Sequence, residues 1–142
     1  MDRKAEARWA GDLKAGRGTV KLGSGAFEGP YSFVSRFEDG PGTNPEELLG
    51  AAHAGCYSMA LAHALATAGH PVTSITTTAT VHLTKGATGF AISGIDLVTR
   101  GVVAEVSAET FQRMAEDTKV NCIVSRALAS VPMKLDAQLV SG

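Results

Sequence analysis

The sequence predicts an α+β fold in which an antiparallel sheet packs against one long central helix. Three patterns predict it. A run of small residues at helical spacing lies between a capping Asn44 and a terminating Gly69. Alternating apolar and polar residues after Pro71 are typical of a β-hairpin, and a second helical pattern starts at Ala108. The predicted order is βββ-α-ββ-αα-β, in a single domain over residues 1–142.

Three short strands are predicted ahead of the central helix, at residues 5–13, 19–22 and 30–37, with glycine-rich turns between them. The third, PYSFVSRF, is rich in aromatic and β-branched residues, so Arg36 would stand at the end of a strand. Short strands joined by tight turns predict an antiparallel meander.

The central helix is predicted over Pro45–Ala68, with a signal at each end. Asn44 is a favourable N-cap, and Pro45 occupies the first helical position, where a missing N–H costs nothing. Glu46 places negative charge at the positive end of the helix dipole. At the other end, Gly69 is suited to a left-handed C-cap. Both boundaries of the helix are therefore predicted from local chemistry.

The same helix is apolar nearly all the way round, with glycine and alanine on more than one face. Small residues let other backbone approach closely, and a helix without a polar face is typically buried. One small sheet covers only one side of it. The sequence therefore predicts a two-fold dimer that buries the remaining side against its own copy.

The hairpin after Pro71 is predicted to end in a strand over residues 90–104, bulged at Gly94. Alternation of apolar and polar residues over Val131–Leu139 predicts a final strand.

Between these strands, Ser107 is expected to cap a helix over Ala108–Val120, which Asn121 would end in left-handed geometry. Cys122 would then begin a short third helix with the sequence IVSRALAS.

Composition excludes several function classes. The net charge of −1 favours neither nucleic acid nor an anionic membrane. The start of the chain is polar rather than signal-like, and no apolar run reaches the roughly 18 residues of a membrane span, so a cytoplasmic protein is expected. The two cysteines show no paired spacing typical of zinc, and His53 with Cys56 would supply only two of the four ligands that a structural zinc needs, so no metal site is predicted.

Cys56, in the middle of the central helix, is the first candidate for chemistry, with His53 and Met59 on the same face. Its alternative is a buried, inert thiol. A reactive thiolate needs a cation nearby, for which Arg36 is a candidate, and Glu46 could hold that guanidinium. Alternatively, Arg36 could be a solvated charge at a strand end, and Glu46 could serve only to compensate the helix dipole.

Several segments resemble the osmotically inducible/organic hydroperoxide resistance family of cysteine-based peroxidases. They are GTNPEELLGAAHAGC, RWAGDLKAGRGTV and NCIVSRAL, and with the final strand they extend the resemblance over essentially the whole chain. The AAHA segment is closer to the osmotically inducible branch. The resemblance implies an intertwined homodimer with long central helices, active sites at the subunit interface, and no metal or bound cofactor.

The resemblance also implies a role for each candidate residue. Cys56 is similar to the peroxidatic cysteine, and Cys122 to the resolving cysteine with which it forms a disulfide. Arg36 is similar to the cation that stabilises the thiolate and orients the peroxide, and Glu46 to the carboxylate that holds it. Ile123 departs from the proline that often follows the second cysteine. The implied substrates are organic hydroperoxides, preferentially, or hydrogen peroxide, and the implied reductant is a lipoyl-protein or thioredoxin-like dithiol.

Two other hypotheses come from different function classes. Cys56 could be the nucleophile of a hydrolase or acyltransferase, with His53 as its base. Alternatively, the chain could be a non-enzymatic dimer that binds a small molecule and carries inert thiols. Thiol titration with a hydroperoxide separates these hypotheses, because only a two-cysteine peroxidase loses both thiols.

Overall fold

A computed structural model of the chain describes residues 1–140. The chain divides into an N-terminal unit, Met1–Leu48, and a C-terminal unit that begins at Leu49. The helices and strands are, in order, β1 (Ala5–Ala10), β2 (Arg17–Leu22), β3 (Glu28–Tyr31), α1 (Phe33–Phe37), α2 (Pro45–Thr67), β4 (Val72–Gly86), β5 (Gly89–Val103), α3 (Ala108–Asn121), α4 (Ile123–Ala127) and β6 (Met133–Leu139). The predicted α+β class and central helix are confirmed.

The N-terminal unit contains a three-stranded antiparallel sheet in the order β1-β2-β3, as predicted. Trp9, Gly18 and Tyr31 are paired across the three strands. The Trp9 and Tyr31 rings lie 5.3 Å apart between centroids, and a Cβ at Gly18 would collide with the Tyr31 ring. Glycine on the middle strand therefore lets the two aromatic side chains meet above it.

The prediction of a strand over residues 30–37 is wrong, because β3 ends at Tyr31 and the short helix α1 follows. Ser32 caps this helix in a reciprocal capping box: its Oγ accepts the Ser35 N–H at 3.1 Å, and the Ser35 Oγ accepts the Ser32 N–H at 2.8 Å. These two bonds satisfy donors that a new helix leaves free, and they outweigh the β-propensity of the aromatic residues. Arg36 consequently lies in the last turn of a helix rather than at a strand end.

Helix α2 has the predicted ends, although it stops at Thr67, one residue earlier than expected. The Asn44 Oδ1 accepts the Glu47 N–H at 2.8 Å, which confirms Asn44 as the N-cap. At the other end Gly69 has a φ of +88°. The Gly69 and His70 N–H groups bond to the carbonyls of Ala66 and Leu65 at 3.0 Å each, the pattern of a Schellman C-cap.

The sheet of the C-terminal unit has the order β4-β5-β6 and is mixed. Strands β4 and β5 form the predicted antiparallel hairpin, whereas β6 pairs with β5 in parallel, so an entirely antiparallel sheet was the wrong prediction. Helices α3 and α4 cross back between β5 and β6, and such a crossover is what a parallel pair requires. The hairpin register shifts where His82 faces Gly94 and Leu83 faces Ile92, so Ser93 is the extra residue beside the predicted bulge.

Cys122 separates helices α3 and α4. Ser107 caps α3 as predicted, its Oγ accepting the Thr110 N–H at 3.1 Å. The prediction of a left-handed Asn121 is wrong, because Asn121 is the last helical residue and Cys122, with φ −61° and ψ 146°, ends the helix in extended geometry. Cys122 is also the N-cap of α4, which confirms that it begins the short third helix, and Ile123 is accommodated as the first residue of α4.

The core of the C-terminal unit is built on one face of α2. Its fully buried positions recur every four residues, which is the spacing of a single helical stripe. These positions are His53, Tyr57, Leu61 and Leu65. Buried residues of β5 and α3 join the cluster, namely Ile95, Leu97, Phe111 and Ala115, and so do Cys122 and Ala137.

The opposite face of α2 carries exposed residues, whereas the sequence predicted burial on most sides. This exposed stripe consists of Ala51, Ala52, Gly55, Met59 and His63. Met59 is 76% exposed.

In the described part of the chain, no helix is both long enough and apolar enough to cross a membrane.

Candidate functional site

Arg36 and Glu46 form the ion pair expected between them, within the N-terminal unit. The Arg36 Nη2 donates to the Glu46 Oε1 at 2.8 Å, and the Arg36 Nε lies 3.3 and 3.2 Å from the two carboxylate oxygens. The Glu46 side chain is 8% exposed and the Arg36 side chain 37%, so the guanidinium keeps an open side. A planar guanidinium held through two nitrogens has a fixed orientation.

Backbone contacts hold the two helices that carry this ion pair. The Ser35 Oγ donates to the Thr43 carbonyl at 2.7 Å, and the Asn44 amide donates to the Ser35 carbonyl at 3.0 Å. These bonds connect the end of α1 to the start of α2. Arg36 and Glu46 are therefore positioned by bonds of Ser35 and Asn44, two residues that also take part in the N-terminal caps of α1 and α2.

A cavity of about 230 Å³ in the N-terminal unit includes Arg36 in its wall. Its lining is mainly aromatic and consists of Trp9, Leu13, Tyr31, Ser32, Phe33, Arg36 and Phe37. The Arg36 guanidinium carbon lies 5.1 Å from the centroid of the Phe37 ring, within the range of a cation–π contact. One cavity thus combines a fixed positive charge with apolar surface, a pairing that suits a ligand with a polar head and an apolar body.

Both cysteines lie in the C-terminal unit as free thiols. Cys56 is half-buried on α2, beside the fully buried Tyr57, and packs against the core. Cys122 is 3% exposed and is itself a member of the core cluster. The two sulfurs therefore differ in solvent access, with Cys56 the more accessible.

Cys122 takes part in a buried polar chain that the sequence did not reveal. The Cys122 Sγ donates to the Ser125 Oγ at 3.1 Å, and that Oγ lies 2.8 Å from the His53 Nε2. The Ser125 N–H also donates to the Cys122 Sγ at 3.3 Å. The available signal was the three-residue spacing of Cys122 and Ser125, which is that of an N-cap and its N3 residue, but cysteine is an uncommon cap.

His53 is fully buried, and burial lowers its pKa from the ordinary 6.5, because desolvation penalises the charged ring. Its Nδ1 has no hydrogen-bond partner among the described residues. Because the Nε2 bonds to Ser125, neither nitrogen is hydrogen-bonded to Cys56. The structure thus gives no support to a Cys56–His53 nucleophile–base pair.

Tyr57 adds a second buried polar contact near Cys122. Its hydroxyl donates to the Ala115 carbonyl at 2.9 Å, connecting α2 to α3. Burial, with smaller contributions from Glu116 and Cys122, raises the pKa of Tyr57 above its ordinary 10.0. The phenol therefore stays protonated and acts as a fixed donor in this region.

Among residues 1–140, no group of three or more His, Cys, Asp and Glu side chains is arranged to hold a metal ion.

Comparison with known sequences finds relatives of one kind. The family model described as OsmC-like protein matches residues 38–136. The chain is 48% identical to the protein named Peroxiredoxin OsmC from Escherichia coli (strain K12) over 142 residues, which is 99% of each chain. A protein of the same name from Shigella flexneri matches equally well.

Solved structures with the same architecture come from more distant relatives. The organic hydroperoxide resistance protein OhrB of Bacillus subtilis has a TM-score of 0.74 at 23% identity, over 95% of this chain and 98% of that one. An OsmC like protein from Mycoplasma pneumoniae has a TM-score of 0.70 at 17% identity, over 99% of each chain. At these identities the likeness is one of fold.

We expect the lowered pKa of His53 to make the fold less stable in mild acid. The unfolded chain binds a proton at this ring more readily than the folded chain, so stability is fully present above pH 6.5 and declines as the pH falls below that value. In His53→Gln this contribution is absent. Urea unfolding at about pH 7.5 and about pH 5.5 should therefore show a smaller loss of stability in the variant.

The matched control for this measurement is His70→Gln, beyond the end of α2 and outside the core cluster. It should keep the acid sensitivity of the parent chain. An equal loss of stability in the parent and in His53→Gln would contradict a neutral, buried His53.

Proposed function

This chain belongs to the family of OsmC-like proteins, and on that premise we propose that it is a thiol peroxidase that reduces hydroperoxides. The observation that carries the proposal is a pair of free thiols at one core cluster, with Cys122 buried within it and the half-buried Cys56 packed against it. The relative named Peroxiredoxin OsmC, 48% identical over nearly the whole chain, supports the same reaction class.

Cys56 is the proposed peroxidatic residue, because a substrate reaches a half-buried sulfur more easily than a buried one. Its thiolate attacks the distal peroxide oxygen, and the O–O bond breaks. The leaving alkoxide takes up a proton and departs as an alcohol, while Cys56 becomes a sulfenic acid. The cysteine has then lost two electrons to the peroxide.

Cys122 is the proposed resolving residue. Its sulfur attacks the sulfenic sulfur of Cys56, a disulfide forms, and the sulfenic oxygen leaves as water. The support for this pairing is that Cys56 packs against the core cluster that contains Cys122. An external dithiol, of the lipoyl-protein or thioredoxin-like class, then reduces the disulfide. This requirement for a reducing pool is the basis for proposing a cytoplasmic location.

Arg36 and Glu46 are proposed to provide the positive charge of the site. A guanidinium favours the thiolate form of a cysteine and binds peroxide oxygens. The support is the ion pair, in which a largely buried Glu46 orients Arg36 and leaves one side of the guanidinium open. Both residues also match the family pattern in the segments VSRFE and NPEE.

The aromatic cavity beside Arg36 supports a preference for organic hydroperoxides over hydrogen peroxide. Its walls are apolar, and its volume of about 230 Å³ far exceeds that of hydrogen peroxide. Burial of an alkyl or aryl group there adds about 25 cal/mol for each Å² of apolar surface removed from water. Hydrogen peroxide has no such surface to bury.

A homodimer is proposed on the exposed stripe of α2. Small residues at one end of the stripe, Ala51, Ala52 and Gly55, allow a second helix to approach closely, and Met59 offers an apolar side chain next to them. Val120 and Ile123 are also exposed, at 62% and 70%. A self-complementary contact would shelter this apolar surface from water.

Substitution of each cysteine is expected to block the peroxidase reaction at a different step. Cys56→Ser should abolish hydroperoxide consumption, because the other cysteine of the sequence, Cys122, is buried and there is no third. Cys122→Ser should complete one turnover and then stall, with Cys56 oxidised past the sulfenic acid. Peroxide assays with dithiol reductant and mass spectrometry of Cys56 test both. Repeated turnover of Cys122→Ser at the parent rate would rule out its resolving role.

Arg36→Met keeps the side-chain length and removes the charge. The fraction of Cys56 present as thiolate should fall, so alkylation of Cys56 and peroxide reduction near neutral pH should slow by about tenfold or more. Alkylation should largely recover above about pH 9, where hydroxide ionises the thiol. Alkylation rates against pH, measured in a Cys122→Ser background, provide the test.

Arg113→Met, on the exposed surface of α3, is the control for this substitution. It removes an equal charge and should leave the alkylation profile unchanged. If Arg36→Met and Arg113→Met gave the same profile as the parent, Arg36 would have no role in activating Cys56.

The chain should sediment at micromolar concentration with twice its mass of 14.7 kDa. Met59→Glu places a charge on the exposed stripe, and its desolvation should shift the protein toward monomer. Gln112→Glu, on the exposed surface of α3, adds the same charge elsewhere and should sediment like the parent. A parent chain that remained monomeric would refute the dimer.

A further inference from the structure

The polar chain from Cys122 through Ser125 to His53 is unusual because all three members are buried. His53 is 0% exposed, while Cys122 and Ser125 are each 3% exposed. A histidine at this position costs desolvation energy, and its Nδ1 remains without a partner among the described residues. Buried polar groups left unsatisfied are rare, and they often mark a role other than stability.

One arrangement of hydrogens makes this chain continuous from sulfur to imidazole. The Cys122 thiol donates to the Ser125 Oγ. The Ser125 hydroxyl hydrogen is then assigned to the His53 Nε2, 2.8 Å away, as its acceptor. This arrangement requires a neutral ring with its proton on Nδ1. Burial lowers the pKa of His53 and favours that neutral form.

We propose that Ser125 and His53 form a proton relay for Cys122, so that the thiol loses its proton as its sulfur attacks oxidised Cys56. Ser125 touches the reacting sulfur, and His53 acts through Ser125 as a positioning and proton-accepting residue. The inference rests on the proposed function, since it assigns the proton of the resolving step. It also gives a reason for the imidazole inside an apolar core.

The step balances in atoms and electrons. The Cys122 proton passes to the Ser125 Oγ, and the Ser125 hydroxyl proton passes to the His53 Nε2. The Cys122 sulfur forms a bond with the Cys56 sulfur, whose S–O bond breaks with departure of hydroxide. The imidazolium proton returns through the Ser125 hydroxyl to the hydroxide, which leaves as water. Cys122 is oxidised to the disulfide, and the sulfenic sulfur is reduced.

Other charged and titratable groups near the relay lie on α2, α3 and α4, the last being Arg126 beside Ser125. Tyr57 lies close enough to Cys122 for their charges to interact, and its phenol stays protonated. Asp117 lines a cavity with Cys122, and Lys119 lines another with Ser125. Lys119 is paired with Glu116 at 3.1 Å. Within the described chain, the hydrogen bonds of Ser125 and His53 nevertheless point to the imidazole as the acceptor for the Cys122 proton.

The test compares the rate of disulfide closure with the rate of sulfenic acid formation in the same sample. Fully reduced chain receives one equivalent of tert-butyl hydroperoxide, and quenched time points are analysed for sulfenic acid trapped with dimedone and for disulfide. In Ser125→Ala and His53→Gln the disulfide should close more slowly at neutral pH, on the order of a hundredfold, while sulfenic acid accumulates. Ser125→Ala removes a single oxygen and retains the backbone N–H that contacts the sulfur, so it protects the test against misfolding of His53→Gln.

The pH profile distinguishes a relay from a purely structural role. Above about pH 9 hydroxide can remove the thiol proton directly, so closure in the variants should approach the parent rate. A misplaced Cys122 would close slowly at every pH. The double variant should be no slower than the slower single variant, because both substitutions interrupt one relay.

Two results would overturn the relay and remain distinguishable. If the parent chain loses both thiols and the variants close at its rate across the pH range, the relay is wrong and the proposed function stands. If the parent chain loses only one thiol, Cys122 is not the resolving residue, and the relay fails together with the proposed function.

Discussion

The burial of one stripe of α2 is the constraint on which the C-terminal unit depends. Tyr57, Leu61 and Leu65 are completely buried there, and each contributes roughly 1.5–3 kcal/mol relative to an exposed side chain. Because the stripe fixes the rotation of the helix, it also places Cys56 at the edge of the core and Met59 in solvent. The position of the Cys56 thiol is thus set by hydrophobic packing one residue away.

The same stripe brings His53 into the core, where the polar chain to Cys122 lies. Each hydrogen bond in a low-dielectric interior is strengthened, but each unmade bond is costly. Cys122 and Ser125 satisfy one another through an N-cap, whereas the His53 Nδ1 is left without a partner among the described residues. A leucine would fill such a space at lower cost, so the imidazole is better explained by chemistry than by stability.

Local signals in the sequence were sufficient to predict the long helices and the long hairpin. Asn44, Ser107 and Gly69 each act through neighbouring backbone, and each has the predicted role. Helix α1 was missed because Ser32 and Ser35 cap five residues of otherwise β-like composition. The parallel pairing of β6 was missed because strand direction depends on the path of the crossover, which no local pattern encodes.

The candidate site likewise contains contacts that the sequence predicted and contacts that it did not. The Arg36–Glu46 pair was predicted from charge and proximity in sequence, and it forms. Ser125 was missed because its contact with His53 joins residues 72 positions apart. A serine in a short helix carries no signal of its own, and its importance depends on the packing of α4 against α2. Tertiary contacts of this kind are beyond a reading of local pattern.

The most direct measurement is a disulfide map of the chain after reaction with one equivalent of an organic hydroperoxide. Digestion without reduction, followed by tandem mass spectrometry, identifies the partner of each cysteine. A two-cysteine peroxidase with these residues predicts one cross-linked peptide pair that joins Cys56 to Cys122, and the loss of two hydrogens from the intact mass. Cys122 remaining a free thiol while Cys56 accumulates as sulfinic acid would contradict it.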